Sequence, residues 1–179
     1  MSLETAVLSR NLGRFETALV VILTSILATV FYHRVQRLEA DMDHAAIDLM
    51  INQVSTQLLI FESELTMTGK TGQLAEYDGR NPFERIFSAP PNYAGEIDGD
   101  RPTLMAPGHW YFDKKNGQII YRVVNDRYFK GGLPGPGRIR IRLSLKYEDV
   151  NGNGRYDAGV DQIQGLVLKK LDRYEWTEK

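Results

Sequence analysis

From Thr17 to Tyr32 the chain runs for sixteen residues without a charge, Thr-Ala-Leu-Val-Val-Ile-Leu-Thr-Ser-Ile-Leu-Ala-Thr-Val-Phe-Tyr. A helix that crosses a bilayer needs about 20 mainly apolar residues, with a lower limit near 17. Counted from Phe15, the segment 15–32 sits at the short end of that range. Phe15 and Tyr32 are placed to mark the two interfaces. Thr24, Ser25 and Thr29 are tolerable in lipid because their hydroxyls can bond to the backbone one turn earlier. A cleaved signal peptide has a shorter apolar core and a small-x-small cleavage site, whereas Tyr32 leads into His33-Arg34-Val35-Gln36-Arg37. A buried core helix is seldom apolar on every face. The segment therefore reads as a retained span behind a basic leader, 1–14. Arg10 and Arg14 precede it and Arg34 and Arg37 follow it, so the positive-inside count is a near tie.

The helix does not stop at the membrane. No proline or glycine occurs between Arg14 and Thr68. Apolar residues recur at helical steps through Val35, Leu38, Met42, Ala45/Ala46, Leu49, Val54, Leu58, Phe61 and Leu65. Glu39, Asp41, Asp43, Asp48, Gln57, Glu62 and Glu64 are expected on the other side. Residues 33–69 thus read as an amphipathic continuation of the span, and at 1.5 Å per residue one helix from about Arg14 to Thr68 would be ~80 Å long. Such a stripe needs covering, its distal half by the chain's own domain and its membrane half by neighbouring helices.

The remainder, 70–179, reads as one soluble β-rich domain. Asn81-Pro82, Ala89-Pro90-Pro91 and Asp98-Gly99-Asp100 punctuate its first part. A short helix is expected over Pro82–Phe87 with Asn81 as its N-cap. His109–Asp113 and Gln118–Val124 flank Asn116-Gly117, a hairpin signal. Arg138–Lys146 alternates strictly, predicting one buried and one wet face. On that reading Arg138, Arg140 and Arg142 form a solvated face rather than an anion-binding stripe. A last strand is expected from about Ile163 to Asp172. The fold class is α+β, a long N-terminal helix packed on a four-stranded antiparallel sheet.

Charge and chemistry narrow the function. The formal net charge of −1 lacks the basic excess of a nucleic-acid binder. The sequence contains no cysteine, which excludes thiol catalysis, thiolate zinc and disulfides. Its three histidines, His33, His44 and His109, form no zinc-type pair, and neither a phosphate loop nor a nucleophile elbow appears. An enzyme is not expected.

One segment does suggest a ligand. In Asp149-Val150-Asn151-Gly152-Asn153-Gly154-Arg155-Tyr156-Asp157, oxygen side chains alternate and then give way to glycine, as at the start of an EF-hand calcium loop. Asp149, Asn151, Asn153 and Asp157 would offer side-chain oxygens and Arg155 its carbonyl. The twelfth position is Val160 instead of glutamate, and Asp161, one residue later, can substitute. The plain alternative is an Asn/Gly turn between strands.

The layout resembles the type IV pilin-like proteins, including the pseudopilins of type II secretion systems. The resemblance is carried by the leader ending Asn11-Leu12-Gly13-Arg14-Phe15-Glu16, by Leu19-Val20-Val21-Ile22 and Ile26-Leu27-Ala28, and by the long helix. The hairpin from Pro107 to Arg122 is similar to the first hairpin of that family. The resemblance implies a subunit in an inner membrane with a periplasmic C-terminal domain. It implies partners among other pilin-like subunits and inner-membrane assembly proteins, and a prepilin peptidase cutting after Gly13. A family glutamate at the fifth mature position pairs with a neighbour's N-terminus; cutting after Gly13 makes Glu16 third. Glu16 also suits the favourable dipole end of a helix on its own account. Bound calcium in place of a disulfide is a further implication. The alternative is an anchored periplasmic binding or sensory module that joins no filament.

Overall fold

The computed structural model describes residues 3–177, with side chains from Phe15 onward. It divides into two compact units, Met1–Glu39 and Ala40–Lys179. Helix α1, Leu3–Met67, contributes its first part to one unit and the rest to the other.

In the first unit every described residue from Phe15 to Val35 is exposed. The three hydroxyls bond backwards as expected: Thr24 to the Val20 carbonyl at 2.8 Å, Ser25 to Val21 at 2.7 Å and Thr29 to Ser25 at 2.8 Å. The helix is long and apolar enough to cross a membrane.

The stop at Gly69 is chemically specified. Gly69 adopts φ 69°, which glycine reaches without the Cβ clash. The Lys70 N–H then reaches the Leu65 carbonyl at 2.8 Å and the Gly69 N–H reaches Thr66 at 3.1 Å. This is the Schellman arrangement that satisfies the last carbonyls of a helix.

In the second unit the helix buries Ala40, Asp43, Ile47, Met50, Val54 and Leu58, and half-buries Phe61 and Leu65. The steps of three and four residues are as expected, but the phase of the proximal half is not. Leu38, Met42, Ala45, Ala46 and Leu49 were read as one stripe with Val54 to Leu65; they lie on another side and are exposed, Met42 at 63% and Leu49 at 68%. Val54 to Leu65 fix the inward side, and a straight helix then brings Asp43 to the core and turns Met42 and Leu49 away.

The sheet is mostly antiparallel and has five strands where four were expected. Its members are β1 (Tyr93–Ile97), β2 (Trp110–Asp113), β3 (Gln118–Arg122), β5 (Arg138–Glu148) and β6 (Gln162–Lys170), in the order β1-β2-β3-β5-β6. The additional strand β1 runs parallel to β2, so the segment between them must cross over. That segment lays Met105 against Tyr111 and Ile120 on one face of the sheet. Two short strands, β4 (Phe129–Gly131) and β7 (Tyr174–Trp176), form a separate two-stranded sheet. The β2–β3 hairpin forms at Asn116-Gly117 as the sequence indicates, with Trp110 opposite Tyr121 and Asp113 opposite Gln118. The expected helix over Pro82–Phe87 is instead a tight turn. Asn81 Oδ1 accepts the Phe83 N–H at 3.1 Å, as a cap would, but both the Ile86 and Phe87 N–H groups return to Pro82.

The main core lies between helix and sheet. Ile47, Met50, Val54 and Leu58 meet Trp110, Phe112, Ile119, Tyr121, Ile139, Ile141 and Leu143. The opposite face of β5 corrects the expectation of a solvated arginine row. Arg138 is buried, and its Nε donates to Asp100 at 2.8 Å. Arg140 grips Asp172 through two bonds of 2.7 Å, and Arg142 lies 3.4 Å from Asp78. Each aspartate comes from a different loop. Asp113, fully buried, likewise holds the Gly99 N–H at 2.8 Å, and Asp126 holds that of Gly137 at 2.9 Å.

Candidate functional site

The second unit leaves one side of its helix uncovered. Met42, Ala45, Ala46, Leu49, Ile60 and Met67 are all exposed and recur at helical spacing on the side away from the core. The polar residues between them on that side are Gln53, Thr56 and Ser63, with the one charge of Glu64 near the distal end. An exposed side of a helix that is largely apolar and carries so little charge is a surface suited to association. Beside it, Ala46, Leu49 and Gln53 border a largely apolar groove of about 240 Å³ that is closed by Phe83, Phe87 and Pro90.

The inward side carries two carboxylates, Asp43 and Glu62; Glu62, expected on the wet side, is half-buried and its Oε1 accepts the Leu166 N–H of β6. Asp43 Oδ1 accepts the Tyr121 hydroxyl at 2.7 Å, and Oδ2 accepts the Val124 N–H at 2.8 Å. Burial, and then donation to Asp43, push the Tyr121 phenol above its ordinary range. Sequence reading placed Asp43 on the wet side. Its partners lie 78 and 81 residues away, and no local pattern reveals them.

Of the processing and assembly residues, Glu16 is exposed on α1. Gly13 falls in the helical stretch whose side chains lie outside the described residues.

The 149–161 loop joins β5 to β6 and is folded by its own side chains. Asp149 accepts N–H groups from Gly152, Asn153 and Gly154 at 2.8, 3.2 and 2.7 Å. Asn151 and Asn153 each aim an amide at the same Asp157 oxygen, at 2.8 and 2.6 Å. These two bonds, Asn151 first, lower the Asp157 pKa below its ordinary value. Asp161 closes the loop by accepting the Val150 and Asp157 N–H groups at 2.9 and 2.7 Å. The Arg155 N–H donates to Asn153 at 2.8 Å. Gly152 and Gly154 take positive φ, 70° and 76°. Asn151 and Asn153 thus turn amide N–H groups, not oxygens, toward Asp157, and their own Oδ1 atoms accept the Asn153 and Arg155 N–H groups. The side-chain oxygens of Asp149, Asn151, Asn153 and Asp157 are of the hard type that calcium takes, and the two asparagines would have to turn their amides over to present theirs. Asp149 and Asp161 serve the backbone of the loop. Among the described residues no three His, Cys, Asp or Glu side chains gather as a metal cluster.

The histidines stay apart. His44 Nε2 lies 3.3 Å from Asp48 and its ring stacks on Trp176. His109 bonds the Pro107 carbonyl at 2.8 Å, and His33 sits edge-on to Tyr32.

No protein-family model, curated protein or solved structure matches the chain. The class is therefore set by architecture: a long apolar N-terminal helix followed by an antiparallel-rich sheet, which is a pilin-like arrangement.

Proposed function

We propose that this chain is a pilin-like subunit, a minor pilin or pseudopilin of a type IV pilus or type II secretion apparatus. It would be anchored in an inner membrane, with its C-terminal domain in the periplasm, and would act by helix-mediated assembly rather than catalysis. The observation that carries the reading is the free side of α1. The domain covers one side of the helix with its own sheet and leaves Met42, Leu49, Ile60 and Met67 for another molecule. Single cysteines placed at Leu49 and Ile60 should cross-link to neighbouring subunits in native membranes, while one at Lys115 on the β2–β3 turn should not. Co-expression with a prepilin peptidase should remove the mass of residues 1–13. An intact N-terminus together with absent helix cross-links would refute the reading.

The apolar groove beside Leu49 and Phe87 favours a second reading, an anchored periplasmic binding or sensory module. That module would remain a monomer in the same cross-linking experiment.

We also propose that the 149–161 loop takes calcium through Asp149, Asn151, Asn153, Asp157 and the Arg155 carbonyl, with Asp161 bracing the loop. The closeness of Asn151, Asn153 and Asp157 supports it, each asparagine needing only to turn its oxygen, in place of its amide N–H, toward the ion. An ion that binds only the folded chain raises its stability by mass action. Calcium should therefore raise the melting temperature of the parent, and the Asp149→Ala, Asp157→Ala pair should abolish that rise. A parent indifferent to calcium refutes the site.

A further inference from the structure

We propose that the free side of α1 is a coiled-coil seam, and that its occupant is the same segment of a second copy, parallel and in register. Met42, Leu49, Thr56 and Ser63 follow one another at seven-residue steps, and so do Ala46, Gln53, Ile60 and Met67. The two sets interleave at alternating gaps of four and three, and every member is exposed. They are the d and a columns of a heptad repeat. Such columns stay in line only against another helix, in a left-handed supercoil. The g column beside them, Ala45, Asn52, Leu59 and Thr66, is also exposed, and none of the three columns carries a charge. The chain's own core takes the far columns, b with Ile47 and Val54 and f with Leu58, so the sheet lies outside the seam.

The polar residues suit a partner of the same sequence. Thr56 and Ser63 already donate their hydroxyls to the Asn52 and Leu59 carbonyls at 3.0 and 2.7 Å, so covering them orphans no donor. Gln53 alone needs a counterpart. In register it meets the Gln53 of the second copy, whereas a slip of one heptad sets its amide against Ala46 or Ile60 with no polar partner. Direction follows from the membrane anchor, for which the proposal rests on the assembly reading. An antiparallel partner would bring its Met42 beside Met67, about 37 Å along the helix. Only ten residues lead from Tyr32 to Met42, and fully extended they reach at most ~35 Å, so the two spans would not meet one membrane. The groove closed by Phe83, Phe87 and Pro90 opens beside Met50 and Gln57. These are e positions, where a parallel partner sets its g residues Ala45 and Asn52.

The chain has no cysteine, so single cysteines report the pairing of the full chain in its membrane under a mild oxidant. Leu49→Cys and Ile60→Cys should each form disulfide homodimers, and the exposed c positions Asp48→Cys and Ser55→Cys should do so at least ~10-fold more slowly. On a Leu49→Cys background, Gln53→Glu and Gln53→Lys should each slow the bond at least ~10-fold when present alone, because like charges then face each other. Mixing the two should restore the parental rate. Gln53 is exposed, so neither change disturbs the fold. Equal rates at 48, 49, 55 and 60 overturn the seam, and a mixture no faster than its components overturns the register. A disulfide between a tagged Leu49→Cys chain and an Ile60→Cys chain, in place of the homodimers, overturns the parallel direction. Cross-links that reach only a chain of different mass overturn self-pairing while leaving assembly itself intact, so the two readings fail separately.

Discussion

Ile47 and Leu49 stand two residues apart on one helix and should behave as opposites. Ile47 is 0% exposed in the main core. Its truncation to alanine removes buried methyl groups and leaves a cavity, at about 2–5 kcal/mol of stability. Leu49 is 68% exposed, and Leu49→Ala should change stability by no more than ~0.5 kcal/mol. Full burial of a leucine yields about 1.5–3 kcal/mol. Roughly two thirds of that is still available to a partner, or ~1–2 kcal/mol, which weakens association about 5- to 30-fold per contact at 1.4 kcal/mol per decade. Urea unfolding of the detergent-solubilised chain, followed through the fluorescence of the buried Trp110, measures the first quantity. Subunit cross-linking at graded protein density measures the second. The reasoning fails if Leu49→Ala lowers the unfolding midpoint as far as Ile47→Ala does, or if it leaves cross-linking unaltered.

Gly117→Ala should cost more than ~2 kcal/mol, because φ is 64° there and an added Cβ would come within 2.5 Å of the Gly79 carbonyl; the unfolding midpoint reports it. Tyr121 has a folded pKa raised above its unfolded value of about 10. Its contribution is therefore full below pH ~10 and is lost as pH rises through the folded value. Between pH 9 and 11 the parent should lose more unfolding free energy than Tyr121→Phe. Arg140→Lys gives up the two-pronged grip on Asp172 and should cost ~1 kcal/mol in the same urea assay.

The sequence discloses its local features well. An uncharged run, an Asn116-Gly117 turn and Gly69, the first glycine after Arg14, each act within a few residues: the run is helical, the turn makes a hairpin and Gly69 ends the helix. The strand β1 escaped because Tyr-Ala-Gly-Glu-Ile has neither alternation nor a β-branched run, and it exists through pairing with β2. The strands β4 and β7, three residues each, lie far apart in sequence. The phase of the proximal helix was illegible for another reason. Apolar residues fall on two sides there, and the partners that receive the inward-facing Asp43 lie 78 and 81 residues away. In the 149–161 loop the spacing of Asp149, Asn151, Asn153 and Asp157 was plain. That Asp161 would spend both oxygens on backbone groups was not, since that depends on how the loop closes.

Six aspartates tie this domain together from within: Asp43 holds the helix, and Asp78, Asp100, Asp113, Asp126 and Asp172 hold loops. These fasteners are non-covalent and contain no sulfur. The chain can therefore reach the same fold in an oxidising or a reducing compartment, with no oxidase to form its cross-links and no isomerase to sort them. Each link can open and re-form singly while the others hold. A subunit passed from a membrane into a larger structure could use that tolerance, since its loops can yield to a neighbour without losing their anchorage.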